Sequence, residues 1–165
     1  MKNGIALYIV ESLSECLMIP DEQYNYILKN MPVFCVDWLV RCDDKYLLLK
    51  RTQQPLMGRY WHIGGRLRVD ETIGEAAIRL QTRELGRYCG LGKLLSFSNY
   101  MFEKCEGARA THTPAITYLV DVDEEFVPVL DETESEYMWT ESLPKDLLTQ
   151  SHFINNFSLK FNGIV

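Results

Sequence analysis

An α+β domain, layered α/β/α with a mixed β-sheet between helices, is the architecture that the sequence predicts. Two observations carry that expectation. Short apolar runs rich in β-favouring residues recur along the chain between Gly-, Asp- and Glu-containing breaks, and one strongly periodic helix interrupts them. Strands and helices in that mixture bury their apolar faces by stacking in layers. The chain has 165 residues, 47% of them apolar and 24% charged, which suits one globular domain over 1–165.

The N-terminal stretch 1–31 reads as an accessory segment. Asp21 follows Pro20 and can cap a short helix in which Tyr24, Ile27, Leu28 and Met31 fall on one face. Residues 33–40 (VFCVDWLV) and 45–50 (KYLLLK) read as strands of a hairpin turning at Cys42, Asp43 and Asp44. Further strands are expected at 93–102, 115–122 and 136–140. A last helix is expected over 145–158, with Leu147, Leu148, Phe153, Ile154 and Phe157 available for burial.

Composition excludes several function classes. A net charge of −6 argues against broad nucleic-acid binding, which needs a clustered basic face. The apolar start of the chain is broken by Glu11 and Glu15, so no membrane span or secretion signal is expected. The five cysteines, Cys16, Cys35, Cys42, Cys89 and Cys105, are odd in number and contain no C-x-x-C pair. Neither a disulfide framework nor a zinc site is suggested, and a cytoplasmic protein with reduced thiols is the expectation.

The segment from Gly64 to Gly86, GGRLRVDETIGEAAIRLQTRELG, carries the chemistry. Thr72 and Glu75 form a capping box that starts a helix, and Gly86 suits its C-terminal end. On a wheel of about 100° per residue, Glu84 falls inside the apolar stripe of Ile73, Ala76, Ala77 and Leu80. A carboxylate on a buried face is costly unless it is paired, hydrogen-bonded or bound to a metal. A buried ion pair to Arg51 or Arg66 is one account of Glu84; a metal site is the other.

Gly65, Glu71, Arg79, Glu84 and Gly86 fall at the spacing of the Nudix box, G-x5-E-x7-R-E-U-x-E-E-x-G-U with U aliphatic, which this segment resembles. The resemblance implies a Nudix fold and metal-dependent hydrolysis of a nucleoside diphosphate linked to another group. The departures are specific: Leu80 and Arg83 stand where the box has glutamates, and Arg87 where it has an aliphatic residue. With two of the usual metal carboxylates missing, a single-metal site is expected in place of a cluster of two or three ions.

One branch of the family, the GDP-mannose mannosyl hydrolases, also keeps only the last glutamate of the helix. The chain is similar to it from about Val33 to Leu148, through "VDWLV", "LLLKRTQQP", "GRYWHIGGR", "VDET" and "LDETESEYMWTESLP". The resemblance implies magnesium, or manganese in its place, held by Glu84 and the Gly64 carbonyl, with Glu71 a further candidate ligand. It also implies that Arg51 and Arg66 bind the diphosphate and act on it, with Asp37 and His112 as further substrate contacts. Arginine forks suit phosphate oxygens on physical grounds as well. Arg59 and Arg68 read as solvated cations nearby.

Downstream the match departs again. Thr133 and Glu134 stand where the branch has a metal-binding Gln and a His general base, Thr113 where it has a Tyr, and Ile63 where it has a Pro. Glu134 is the candidate base, its pKa raised by Asp131, Glu132 and Glu136; a solvated acidic loop is the alternative. His62, His152, Tyr60 and Trp61 read as structural.

The expected activity is hydrolysis of a nucleotide sugar, such as GDP-mannose, to nucleoside diphosphate and free sugar. Cleavage of ADP-ribose or a similar compound between its phosphates is the rival enzymatic reading, and a non-catalytic nucleotide-binding domain is the other. The partner is a small molecule, and the resemblance implies a homodimer.

Overall fold

The computed structural model describes residues 19–102 and 111–144. Its elements run in the order α1 (Asp21–Asn30), β1 (Cys35–Cys42), β2 (Lys45–Arg51), β3 (Tyr60–Trp61), β4 (Ile63–Arg66), α2 (Ile73–Leu85), β5 (Lys93–Phe102), β6 (Thr111–Asp121) and β7 (Glu134–Thr140). The expected helix over 145–158 lies outside the described residues, as do Cys16, Cys105 and His152.

All the strands belong to one sheet, with order β3-β2-β1-β6-β5, β4 pairing also with β1 and β7 with β2. The sheet is mixed, as expected. Residues Cys35–Arg41 of β1 run parallel to Ala115–Asp121 of β6, and the other pairings are antiparallel. Asp43 turns the β1–β2 hairpin with φ 50°, a conformation that Asp tolerates better than most residues.

Strand β1 is central and buried on both faces, so its sequence reads as a continuous apolar run. Val36, Trp38 and Val40 pack with Leu47, Leu49 and the apolar stripe of α2. Leu39 packs on the opposite side with Leu48, Trp61 and Leu119. Asp37 is the exception in this run, a buried carboxylate in the middle of the sheet.

Helix α2 forms where the capping box placed it. The Thr72 hydroxyl accepts from the Glu75 backbone N–H at 3.2 Å, and the Thr72 N–H donates to Glu75 Oε2 at 2.8 Å. The helix ends at Gly86, whose φ of 72° is left-handed and whose missing Cβ would lie 2.8 Å from Val129. Its buried residues include Ala76, Ala77, Leu80 and Glu84. Gln81 is also fully buried; its Nε2 donates to the Gly90 carbonyl and its Oε1 accepts from the Cys89 N–H, both at 2.8 Å.

Three sequence expectations are corrected. Asp21 is the first residue of α1 and does not cap it; Pro20 holds the N-cap position, and no side chain among the described residues caps the helix. Tyr24, Ile27 and Leu28 are half-buried as expected, whereas Met31 lies past the helix end and is exposed. The short strands β3 and β4 were not expected, because two- and four-residue strands around a Gly-Gly pair carry no readable alternation.

Candidate active site

The site forms where β4 passes between β1 and α2. Gly64 pairs with Asp37 of β1, and its N–H donates to Glu84 Oε2 of α2 at 3.1 Å. The backbone is held so close on both sides that a Cβ on Gly64 would lie 2.1 Å from Asp37 Oδ1, and its φ of 155° is unusual for any other residue. Glycine is required there for close approach. The packing brings Gly64, Glu84 and Asp37 together, three of the residues singled out from the sequence.

Burial raises the Glu84 pKa, opposed by the neighbouring Arg83 charge and by the Gly64 N–H, with Asp131 adding to the rise. Asp37 is pushed well above the usual carboxylate range by burial and by the Glu84 charge, while Arg51 draws it back. The Glu84 charge thus reaches Asp37.

The ion pair of Glu84 is not with Arg51 or Arg66. Arg83, its neighbour on the helix, donates from Nη2 to Glu84 Oε1 and from Nε to Asp131 Oδ2 at 3.0 Å. In the sequence Arg83 stands out only as a departure from a box glutamate. No local signal pairs it with Asp131, because that contact exists only once the chain has folded.

Asp131 opens the turn that delivers Glu134. Asp131 Oδ1 accepts from the Thr133 N–H at 2.7 Å and from its hydroxyl at 2.5 Å. The end of β2 clamps the same turn: the Thr52 N–H donates to the Thr133 carbonyl and its hydroxyl to the Glu132 carbonyl, both at 2.9 Å. Thr52 thus belongs to the site's framework although no motif marks it. Glu134 pairs with Arg51 across β2 and β7 and is 9% exposed, so it is not part of a solvated acidic loop.

Its Oε2 is buried with no hydrogen-bond partner among the described residues. The Glu134 pKa rises to about 8, first through burial, then through its hydrogen bond with Asp131, with Glu84 and Asp131 adding charge repulsion. Of the three neighbours expected to raise it, Asp131 does so. Glu132 is exposed, and Glu136 is occupied by Lys50 Nζ and the Tyr60 hydroxyl, each at 2.9 Å.

The remaining candidates are placed differently. Glu71, expected as a metal ligand, has both oxygens taken: Arg79 forks onto them at 2.5 and 2.6 Å, and the Arg68 N–H adds a bond at 3.0 Å. It ties the loop before α2 to the helix, a structural part in place of a ligand's. Arg51 donates from Nε to the Pro55 carbonyl at 3.0 Å and lowers the pKa of Asp37 through its charge. Arg66 lays its guanidinium 4.2 Å over the Tyr24 ring of α1, so the accessory helix orients it. His112 bonds Asn99 across β5 and β6 at 2.5 Å, and none of its contacts among the described residues reaches Glu84, Glu134 or Arg51. His62 and Trp61 are buried beside each other, and Tyr60 donates its hydroxyl to Glu136. The His62 Nε2 has no hydrogen-bond partner among the described residues; Asp37 Oδ2 lies 3.9 Å away, and burial holds the His62 pKa down to about 4.

Glu84 and Glu134 are the carboxylates here that could take part in holding a hydrated ion. Among the described residues, no three His, Cys, Asp or Glu side chains are grouped to hold a metal by themselves. Glu84 has one oxygen beside the Gly64 backbone, and the orphaned Glu134 Oε2 is an acceptor without a donor. Magnesium needs few carboxylates, because it keeps several of its waters.

A mixed sheet with a capped helix aiming a buried glutamate at a Gly-Gly strand defines a class that comparison makes specific. A sequence model of the NUDIX domain matches residues 30–154, and the chain belongs to that family. It is 28% identical over 109 residues to the low-salt glycan biosynthesis protein Agl8 of Haloferax volcanii, covering 65% of this chain and 70% of the relative. It is 27% identical over 140 residues to an ADP-ribose pyrophosphatase of Methanocaldococcus jannaschii, covering 84% and 80%. The crystal structure of a MutT NUDIX hydrolase from Burkholderia pseudomallei superposes with a TM-score of 0.61 at 23% identity, covering 73% of this chain and 98% of that one.

Proposed function

We propose that this Nudix protein hydrolyses a nucleoside diphosphate joined to a sugar, releasing the nucleoside diphosphate and the free sugar. The observation that carries this reading is the pairing of two buried carboxylates with different partners. Glu84 is satisfied by Arg83 and Gly64, whereas Glu134 keeps an unpartnered oxygen and a pKa raised to about 8. Burial raises both, but the one held by Arg83 suits a fixed anion, and the one whose oxygen stays open suits a proton acceptor.

Glu84 and the Gly64 carbonyl would hold a magnesium or manganese ion, with the Glu134 carboxylate near enough to feel the Glu84 charge. Such an ion supplies Lewis-acid neutralisation of the diphosphate. Arg51 and Arg66 grip the phosphate oxygens in forked hydrogen bonds, and Tyr24 keeps the Arg66 plane fixed. Glu134, once ionised, takes a proton from water as the water oxygen bonds to the anomeric carbon. The carbon–oxygen bond to the diphosphate then breaks, and its electron pair leaves with the diphosphate. The absence of two box carboxylates at Leu80 and Arg83 favours carbon attack, because attack on phosphorus draws more on clustered metals.

The likeness to an ADP-ribose pyrophosphatase over 140 residues favours a second reading, cleavage between the phosphates. Incubation with magnesium, a panel of nucleotide sugars and ADP-ribose in oxygen-18 water separates the two. Label in the released sugar supports the proposal. Label in a phosphate product promotes the second reading, and no product from any substrate reduces the domain to a nucleotide binder.

A further inference from the structure

The Arg83 side chain is 45% exposed, yet its guanidinium reaches inward to Glu84 and Asp131, whose side chains are 4% and 19% exposed. An arginine free in water gains little from surface pairing, so this reach reflects what it meets. Glu84, Asp131 and Glu134 are neighbours: Asp131 raises the Glu84 pKa by its charge and hydrogen-bonds Glu134. A carboxylate withdrawn from water, as Glu84 is and Asp131 partly is, needs positive charge beside it. Arg83 is the cation whose charge both Glu84 and Asp131 feel.

Arg83 also stands at the position where the Nudix box has a glutamate. That exchange turns a negative group into a positive one beside Glu84. A carboxylate at 83 would add a ligand; the guanidinium instead donates to Glu84 Oε1 and Asp131 Oδ2, oxygens that a metal ion would otherwise draw on.

We propose that Arg83 is a resident cation of the site, bridging Glu84 and Asp131 in place of a divalent ion and holding the protein to a single metal. The proposal rests on Glu84 as a metal ligand and extends that reading to the number of ions bound. Metal count is therefore set by one side chain on the last turn of α2. The Arg83 charge stays in place whether or not metal is present, so the acids are never fully uncompensated.

Manganese binding to the full chain without substrate tests this, with free Mn²⁺ read by electron paramagnetic resonance. Wild type is expected to bind one ion, and Arg83→Glu more than one. Arg83→Gln, which removes the competing charge without adding a ligand, is expected to raise the affinity at least about tenfold at unchanged stoichiometry. Arg83→Gln also stands as the test if Arg83→Glu proves unstable by thermal melt. Two or more ions on wild type, an unchanged count in folded Arg83→Glu, or unchanged or weaker manganese affinity in Arg83→Gln would overturn the proposal. The substrate reading fails separately, through the products that wild type releases, so the two outcomes are distinguishable.

Discussion

At the scale of single residues, the site is an arrangement for keeping charge out of water. Glu84 is nearly inaccessible, and its oxygens are met by Arg83 and the Gly64 N–H. Glutamine has the same shape without the charge, so Glu84→Gln should fold as wild type. We expect turnover to fall on the order of 10²-fold or more, with the melting temperature moving by only a few degrees. Kinetics at saturating magnesium and circular dichroism check both halves; full activity would remove Glu84 from the machinery. In the proposed reaction Arg51 and Arg66 would meet the leaving group, where charge grows as the bond breaks, so their loss should appear in rate more than in binding. Arg51→Ala and Arg66→Ala are each expected to lower kcat about 10- to 100-fold with a smaller change in KM. A change confined to KM would make them uniform binders.

At the scale of elements, α2 is the part that local chemistry determines. Its capping box closes within four consecutive residues, so Thr72→Ala should cost about 1 kcal/mol of unfolding free energy while leaving kcat near wild type. Equilibrium denaturation measures the first and steady-state kinetics the second; loss of activity without loss of stability would mean that Thr72 touches the chemistry. The same locality explains what was legible in the sequence. Helix α2, its cap, its C-terminal glycine and the burial of Glu84 follow from periodicity and spacing, and the longer strands from apolar runs bounded by turn residues. Strand β6 begins four positions before the expected 115, because its early residues are ordered by pairing with β5 and not by their own pattern. Glu71 carried the right motif position and the wrong part: spacing marks it as important but does not distinguish a ligand from the Arg79 partner it is. The parts of Arg83 and Glu134 are hidden in the sequence for one reason. The polar run DETESE reads as a solvated turn until Thr52 clamps it and brings Asp131 to Arg83.

At the scale of the whole molecule, the gathered acids make stability depend on pH in a way that an ordinary acidic surface does not. An acid whose pKa is higher in the folded state than in the unfolded one holds its proton better when folded, and stability falls as pH rises between the two values. Glu134, at about 8 in the fold, has this sense from about pH 4.3 upward, and Glu84 and Asp37 share its direction. His62 opposes them. Burial lowers it to about 4, so the unfolded chain binds the extra proton and stability climbs with pH until about 6.5. Glu71 and Glu136, held low by Arg79 and Lys50, lose their contribution only as the solution turns acidic. Above about pH 6.5 the histidine and these paired acids contribute no further slope, and the raised carboxylates are left to act alone. Burial also pushes the Cys35 thiol up, which prolongs the fall at higher pH. The metal-free protein in chelator should therefore lose about 1–2 kcal/mol of unfolding free energy between pH 6.5 and 8, since one proton corresponds to about 1.4 kcal/mol per pH unit. Glu134→Gln removes the titrating group, so its loss over the same interval should be smaller and its stability at pH 8 higher than wild type. Magnesium at pH 8 should restore part of the wild-type loss, because a cation favours the ionised carboxylates. Urea denaturation at the two pH values, with and without metal, measures all three; a flat profile, or an unchanged slope in Glu134→Gln, would show that Glu134 does not carry its proton in the fold.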